Sequence, residues 1–225
     1  GGVAPLIFDE YADEQGFIDG VVKASMYHSG QVCVSVQRVY VPDSRAQELA
    51  QKIADVASQQ VVGDAINEDS DLGPLILPKE TDRIEAWVDE AVDEGAQLIT
   101  GGKRINKVSY EPTVLLNPAK GSKVSTQEVF GPVVCIYGYQ TIDDAIEQAN
   151  SLDVSFQSAI FSDNVSLAMD VAKKLEASAV MINNYTTFRV DWMPFAGRKH
   201  SGYGVGGIGY SMRDMLEYKM IVTKT

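Results

Sequence analysis

The chain has 225 residues, 45% of them hydrophobic and 22% charged, with a formal net charge of −12. This is the composition of a soluble globular domain with room for a sizeable core, and its scattered Lys and Arg exclude nucleic acid and anionic membrane surfaces as partners. Cys33 and Cys135 are too few for a disulfide framework, no apolar run nears the roughly 18 residues that span a bilayer, and no secretion signal opens the chain, so a cytoplasmic protein is expected.

In chain order, "APLIF" reads as a short buried strand. "EQGFIDGVVKASMYHS" places Phe17, Ile18, Val21 and Val22 at helical spacing, which predicts a helix running towards Cys33. "VQRVYVP" reads as a strand ended by Pro42 and Asp43, and the helix after it takes Ser44 as its N-cap. The turn-rich "DSDLGPLILPKE" leads into a helix with Ile84, Trp87, Val88, Ala91 and Val92 on one face, stopped by Gly95. "QLIT", "YEPTVLL" and "PVVCIYGYQ" read as strands, and "TIDDAIEQAN" as a helix capped by Thr141 or Asp143. Strand "QSAIFSD", helix "NVSLAMDVAKKLEAS" and strand "AVMINN" follow, and "EYKMIVTKT" reads as a detached strand free to pair with a neighbouring subunit. Strands alternating with helices predict one α/β domain on a largely parallel sheet.

Few constellations carry chemistry. Cys33 sits in a glycine-flanked loop before a β-branched run, and the residues alone allow either a nucleophile or a small buried side chain. "GYGVGG" satisfies G-x-G-x-x-G with Gly202, Gly204 and Gly207. No strand is predicted immediately before it, so a surface loop is expected rather than a phosphate cradle. His28 and His200 have no metal-ligand spacing, and no metal site is expected; the nearness of His28 to Cys33 in sequence does not make a dyad. Glu128, two residues before Phe130 at a strand entrance, suits a ribose hydroxyl beside a flat ring, but from these residues alone a surface glutamate before a turn is the preferred reading.

Taken together, "GQVCVSVQRVYV", "DLGPLI", "EGAQLITGG", "EPTVLL", "QEVFGPVV", "DAIEQAN", "INN" and "PFAGRKHSGYG" follow the order and approximate spacing of the aldehyde dehydrogenase superfamily. The resemblance covers nearly the whole chain. It implies the family's catalytic domain over residues 1–215, an open, largely parallel twisted sheet with helices on both faces, and an oligomerisation tail over 216–225. "INNYTTFRVDWMPFAG" and "GVGGIGYSMRDM" look more like the branch of non-phosphorylating glyceraldehyde-3-phosphate, lactaldehyde and phosphonoacetaldehyde dehydrogenases.

The resemblance implies that Cys33 is the nucleophile: its thiolate adds to an aldehyde to give a thiohemiacetal, hydride leaves for the nicotinamide of NAD or NADP, and water hydrolyses the thioester. A free thiol has a pKa of about 8.5, so the site must favour the thiolate or take its proton. The Cys33 N–H matches the family's main-chain oxyanion donor. Glu128 matches the glutamate that binds the nicotinamide ribose and Phe130 the ring packed near the nicotinamide. Phe188 and Phe195 match aromatics of the substrate tunnel. Arg189 is a candidate anion clamp, the alternative being an ion pair with Asp191. A small aldehyde is the implied substrate, and a homodimer or homotetramer the implied assembly.

The departures matter as well. Gly1 and Gly2 match the last two residues of the family's E-L-G-G, whose glutamate is the general base. The cofactor-binding domain is expected to lie outside these residues, and the chain alone to bind no cofactor and to be inactive. Val205 and Gly206 stand where many members have arginine-glutamate, and His28 where asparagine is frequent. Cys135 is expected in the core. The alternatives are an inactive folding or oligomerisation unit and a cysteine hydrolase, for which Cys33 lacks an evident histidine and acid.

Overall fold

The computed structural model describes residues 1–225. In chain order the elements are β1 (Ala4–Phe8), α1 (Glu14–Met26), β2 (Val36–Pro42), α2 (Ala46–Ala57), α3 (Pro78–Asp93), β3 (Gln97–Thr100), the short ribbon β4 (Arg104–Asn106) and β5 (Ser109–Tyr110), and β6 (Thr113–Leu116). They continue with α4 (Lys123–Thr126), β7 (Val133–Tyr139), α5 (Ile142–Asn150), β8 (Val154–Ser155), β9 (Gln157–Phe161), α6 (Val165–Lys174), β10 (Ala179–Ile182), β11 (Arg198–Lys199) and α7 (Ile208–Asp214). Seven strands form one sheet in the order β10-β9-β1-β2-β7-β6-β3. Every pair is parallel except β3 with β6.

Alternation sorts the strand residues onto two cores. Val134 and Ile136 of β7 pack with α1 and α2, whereas Cys135, Tyr137 and Tyr139 pack with α3, α5 and α6. The expected open sheet with helices on both faces is therefore found. Phe17, Ile18, Val21 and Val22 of α1 are buried, each stabilising by roughly 1.5–3 kcal/mol on transfer from water. Local chemistry sets the helix starts: Asp13 accepts from the Gly16 N–H before α1, and Thr141 with Asp144 forms a capping box on α5.

Three expectations change. Ser44 is not the cap of α2: Asp43–Arg45 forms a 3-10 turn and Arg45, with no side-chain cap, precedes the helix. α1 stops at Met26 rather than running to Ser29, because Tyr27–Gly30 is a separate turn with His28 (φ 50) and Ser29 (φ 58) in the left-handed region. Residues 216–225 form no strand and are exposed, since no strand within the chain lies alongside to supply a hydrogen-bonding ladder.

One irregularity bears on function. Between the pairs Ala4–Val36 and Pro5–Arg38, β1 advances one residue and β2 advances two. Gln37 is the bulged residue, and Pro5, which has no N–H to donate, sits where the ladder is interrupted. No helix of the chain is long and apolar enough to cross a membrane.

Candidate active site

The loops that precede β1, β2 and β7, three neighbouring parallel strands, meet at the amino end of the sheet. They carry Gly2, Cys33 and Glu128. The Gly2 N–H donates to Glu128 Oε1 at 2.9 Å. Gly2 also lies against the nucleophile loop: a Cβ on it would come 2.7 Å from the Cys33 carbonyl oxygen and 3.1 Å from Phe156 Cβ. Only a residue without a side chain allows this approach.

The Cys33 loop is pinned from two sides. Gly30 (φ 73) packs so tightly on the loop after Glu128 that a Cβ would fall 2.0 Å from the Gly131 carbonyl oxygen. On the other side, the Ser29 hydroxyl donates to Gly73 O at 2.6 Å. Gln31 donates to Pro74 O at 3.3 Å and accepts from the Ile76 N–H at 2.9 Å. The "GQVC" and "DLGPLI" motifs are thus one tertiary unit. Thr186 donates from its hydroxyl to the Val34 carbonyl, tying the loop after β10 to the residue that follows Cys33.

Cys33 is half-buried and free, and its N–H donates to no group in the chain. The thiol and an unpaired main-chain donor on one residue suit a carbonyl that gains negative charge on oxygen. Cys135 is the opposite case. It is fully buried, and burial pushes its thiol up to about 12. It belongs to the core, as expected.

Glu128 is half-buried, and its second carboxylate oxygen, Oε2, has no hydrogen-bond partner. Phe130, at φ 49, keeps 38% of its surface exposed. A free carboxylate oxygen and an open aromatic ring fit the ribose and ring of a nicotinamide. The residues fit a pyrophosphate less well. The Gly202–Gly207 loop follows a two-residue strand and a turn, and opens the seven-residue α7, which buries none of its side chains.

The remaining predicted residues are only partly brought together. Arg189 makes no ion pair with Asp191 or any other carboxylate; its Cζ lies 4.5 Å from the centroid of the Phe195 ring. Phe195 in turn packs on Phe156 at 4.7 Å between centroids. Arg189, Phe195 and Phe156 therefore lead in contact from the surface to Gly2 and Cys33. Phe188 is 44% exposed and joins none of these aromatic pairs. Phe156 and Gln37 were not singled out in the sequence. The only signal for Gln37 is a polar pair, Gln37 and Arg38, within a buried apolar strand, where each must find partners. A cavity of about 660 Å³ is lined by Arg38, Tyr137, Tyr139 and Gln148 and by none of Gly2, Cys33, Glu128, Phe130, Phe188, Arg189 or Phe195.

This geometry defines a thiol site at the amino ends of a parallel α/β sheet. The chain belongs to the aldehyde dehydrogenase family, whose model matches residues 1–221. It is 38% identical over 222 residues to 3-sulfolactaldehyde dehydrogenase of Priestia aryabhattai, covering 99% of this chain and 46% of that protein. It is 35% identical over 225 residues to lactaldehyde dehydrogenase of Methanococcus aeolicus, covering 100% of this chain and 48% of that one. Among solved structures it is similar to glyceraldehyde-3-phosphate dehydrogenase GapN from Methanocaldococcus jannaschii complexed with NADP. The TM-score is 0.91 at 35% identity, over 96% of this chain and 46% of that one. The chain spans about half the length of the curated relatives it matches. The branch expected from the sequence is the one to which these relatives belong.

Proposed function

We propose that this chain is the catalytic domain of an NAD(P)-dependent dehydrogenase that oxidises a small aldehyde to its carboxylic acid. The observation that carries this reading is the meeting of Gly2, Cys33 and Glu128 at the amino ends of three adjacent strands. Cys33 as thiolate forms the bond to the aldehyde carbon, and the carbonyl electron pair moves to oxygen, where the Cys33 N–H receives it. A bound nicotinamide supplies the oxidant that takes the carbon to the acid level. Glu128 holds the nicotinamide ribose through its free oxygen, and Phe130 limits where the ring lies. Water then cleaves the Cys33 thioester, returning the thiolate and releasing the carboxylate.

Phe188 and Phe195 line the approach for the aldehyde. Arg189, held over Phe195 and unpaired, clamps an anionic group on the substrate, since a guanidinium offers a paired donor fork to phosphate, sulfonate or carboxylate. The sulfolactaldehyde and glyceraldehyde-3-phosphate named for its relatives carry such groups. The complete enzyme is a homodimer or homotetramer in which residues 216–225 pair with a neighbouring subunit. These 225 residues alone bind no nicotinamide cofactor tightly and do not turn over aldehyde; titration calorimetry returning micromolar affinity contradicts the first part.

The direct test is aldehyde-dependent reduction of NAD or NADP by the complete enzyme containing this chain. The parent is expected to turn over and Cys33→Ser to lose turnover. Turnover surviving in Cys33→Ser removes the reading.

A further inference from the structure

Gln37 stands in a strand of β-branched and aromatic residues and is only 5% exposed. A buried primary amide has one acceptor and two donors to satisfy, and leaving them unpaired is costly. Its nitrogen donates to Val124 O and to Gln127 O, both at 2.8 Å, and its oxygen accepts from the Val129 N–H at 3.0 Å. The bulge in β2 frees this residue from pairing with β1, and bulges re-aim side chains. All three bonds go to one segment, the stretch that ends α4 and leads into β7.

The position of these bonds is informative. Glu128 lies between Gln127, whose carbonyl is bound, and Val129, whose N–H is bound. A side-chain amide carries the same donor and acceptor as a peptide group. Gln37 therefore brackets Glu128 as the edge of a neighbouring strand would, in a stretch that forms no strand of its own. The Val129 N–H has no other acceptor, and Val129 O is held separately by Arg83 Nη2 at 2.6 Å. Cys33 lies four residues earlier on the same chain segment. A single strand thus carries the nucleophile at its entrance and, one bulge later, the group that holds the carboxylate loop.

We infer that Gln37 is a positioning residue. It sets the Glu128–Phe130 loop in register with Cys33, so that the nicotinamide end of the cofactor lies over the thiol. The inference rests on the proposed function. Gln37 touches neither substrate nor cofactor. Its effect runs through the loop backbone, so its loss weakens cofactor binding while leaving the thiol as it was.

The test uses the complete enzyme containing this chain, with Gln37→Met, which keeps the volume but has no donor. Gln37→Glu is the second variant; it keeps an acceptor for the Val129 N–H but cannot donate to the two carbonyls as a carboxylate. Three quantities are measured: NADH and NADPH affinity by fluorescence titration, hydrogen exchange across residues 124–131, and alkylation of Cys33 without cofactor. In Gln37→Met the dissociation constant is expected to rise about tenfold and loop exchange to speed up about tenfold, as loss of an oriented hydrogen-bonded contact implies. Cys33 alkylation stays within about twofold of the parent, a change too small to signal general unfolding. Gln37→Glu exchanges faster than the parent but more slowly than Gln37→Met at Val129, and it carries the test if Gln37→Met does not fold. Parent-like affinity in either folded variant overturns the role of Gln37, as does weaker affinity with unchanged loop exchange. A parent that binds neither NADH nor NADPH contradicts the proposed function itself and removes the basis of the inference.

Discussion

Gly2 and Glu128, 126 positions apart, are joined by one hydrogen bond of 2.9 Å from the Gly2 N–H to Glu128 Oε1. The bond links the loop before β1 to the loop before β7, across the strand whose entrance carries Cys33. It leaves one carboxylate oxygen free. Sites in open α/β sheets usually lie beyond the carboxyl ends of the strands, and this one is built at the amino ends from three adjoining loops.

The closest of these loop contacts is the most sensitive to a methyl group. In Gly30→Ala the new Cβ meets Gly131 O at 2.0 Å while the backbone must keep φ 73. Left-handed strain and overpacking together predict a loss of about 2–4 kcal/mol, read from the urea unfolding midpoint. A loss below about 0.5 kcal/mol contradicts the packing of the two loops.

The two thiols differ in access. Iodoacetamide at neutral to mildly alkaline pH is expected to label Cys33 in the folded protein and to reach Cys135 only after denaturant is added. Burial holds the Cys135 thiol at about 12, and no part of that side chain reaches solvent. Labelling of Cys135 at the rate of Cys33, followed by peptide mass, contradicts this arrangement.

The face that packs on α3, α5 and α6 gathers Tyr40, Tyr110, Cys135, Tyr137 and Tyr139. Burial is the first cause that raises the pKa of each. An acid bound more tightly in the folded state contributes stability that is present below its unfolded pKa, about 8.5 for Cys and 10 for Tyr, and lost as pH rises through the folded value. The urea midpoint is therefore expected to hold between about pH 7 and 8.5 and to fall steeply above about pH 10. A midpoint unchanged to about pH 11 contradicts the burial of these groups.

Arg189→Ala is expected to separate substrates by charge. In the complete enzyme KM for sulfolactaldehyde or glyceraldehyde 3-phosphate is expected to rise by about ten- to a hundredfold, and KM for neutral aldehydes by less than about threefold. Equal effects on both refute the clamp.

Much of this was legible in the sequence, for physical reasons. The α/β alternation follows from period and the burial of Cys135 from its apolar strand, whereas the glycine-flanked loop alone leaves Cys33 open and only the collinear motifs point to a nucleophile. The helical pattern of α1 runs on through Ser29, but His28 and Ser29 turn left-handed and Gly30 lies against Gly131, a tertiary arrangement that no local spacing shows. Ser44 has the chemistry of a cap, yet Pro42 and Asp43 start a tighter turn first. Gln37 shows as a buried polar residue, but a bulge between distant strands selects its partners, and no local spacing reveals it. The strand-like 217–225 segment has the right residues and no neighbour in the chain.

The central claim is that Cys33 bonds to the aldehyde carbon, and acid quenching of the complete enzyme during turnover tests it most directly. Peptide mass spectrometry is expected to find the substrate acyl group on the peptide containing Cys33, and to find none in Cys33→Ser, which turns over no aldehyde. An acyl group on another residue, or full turnover in Cys33→Ser, contradicts the account.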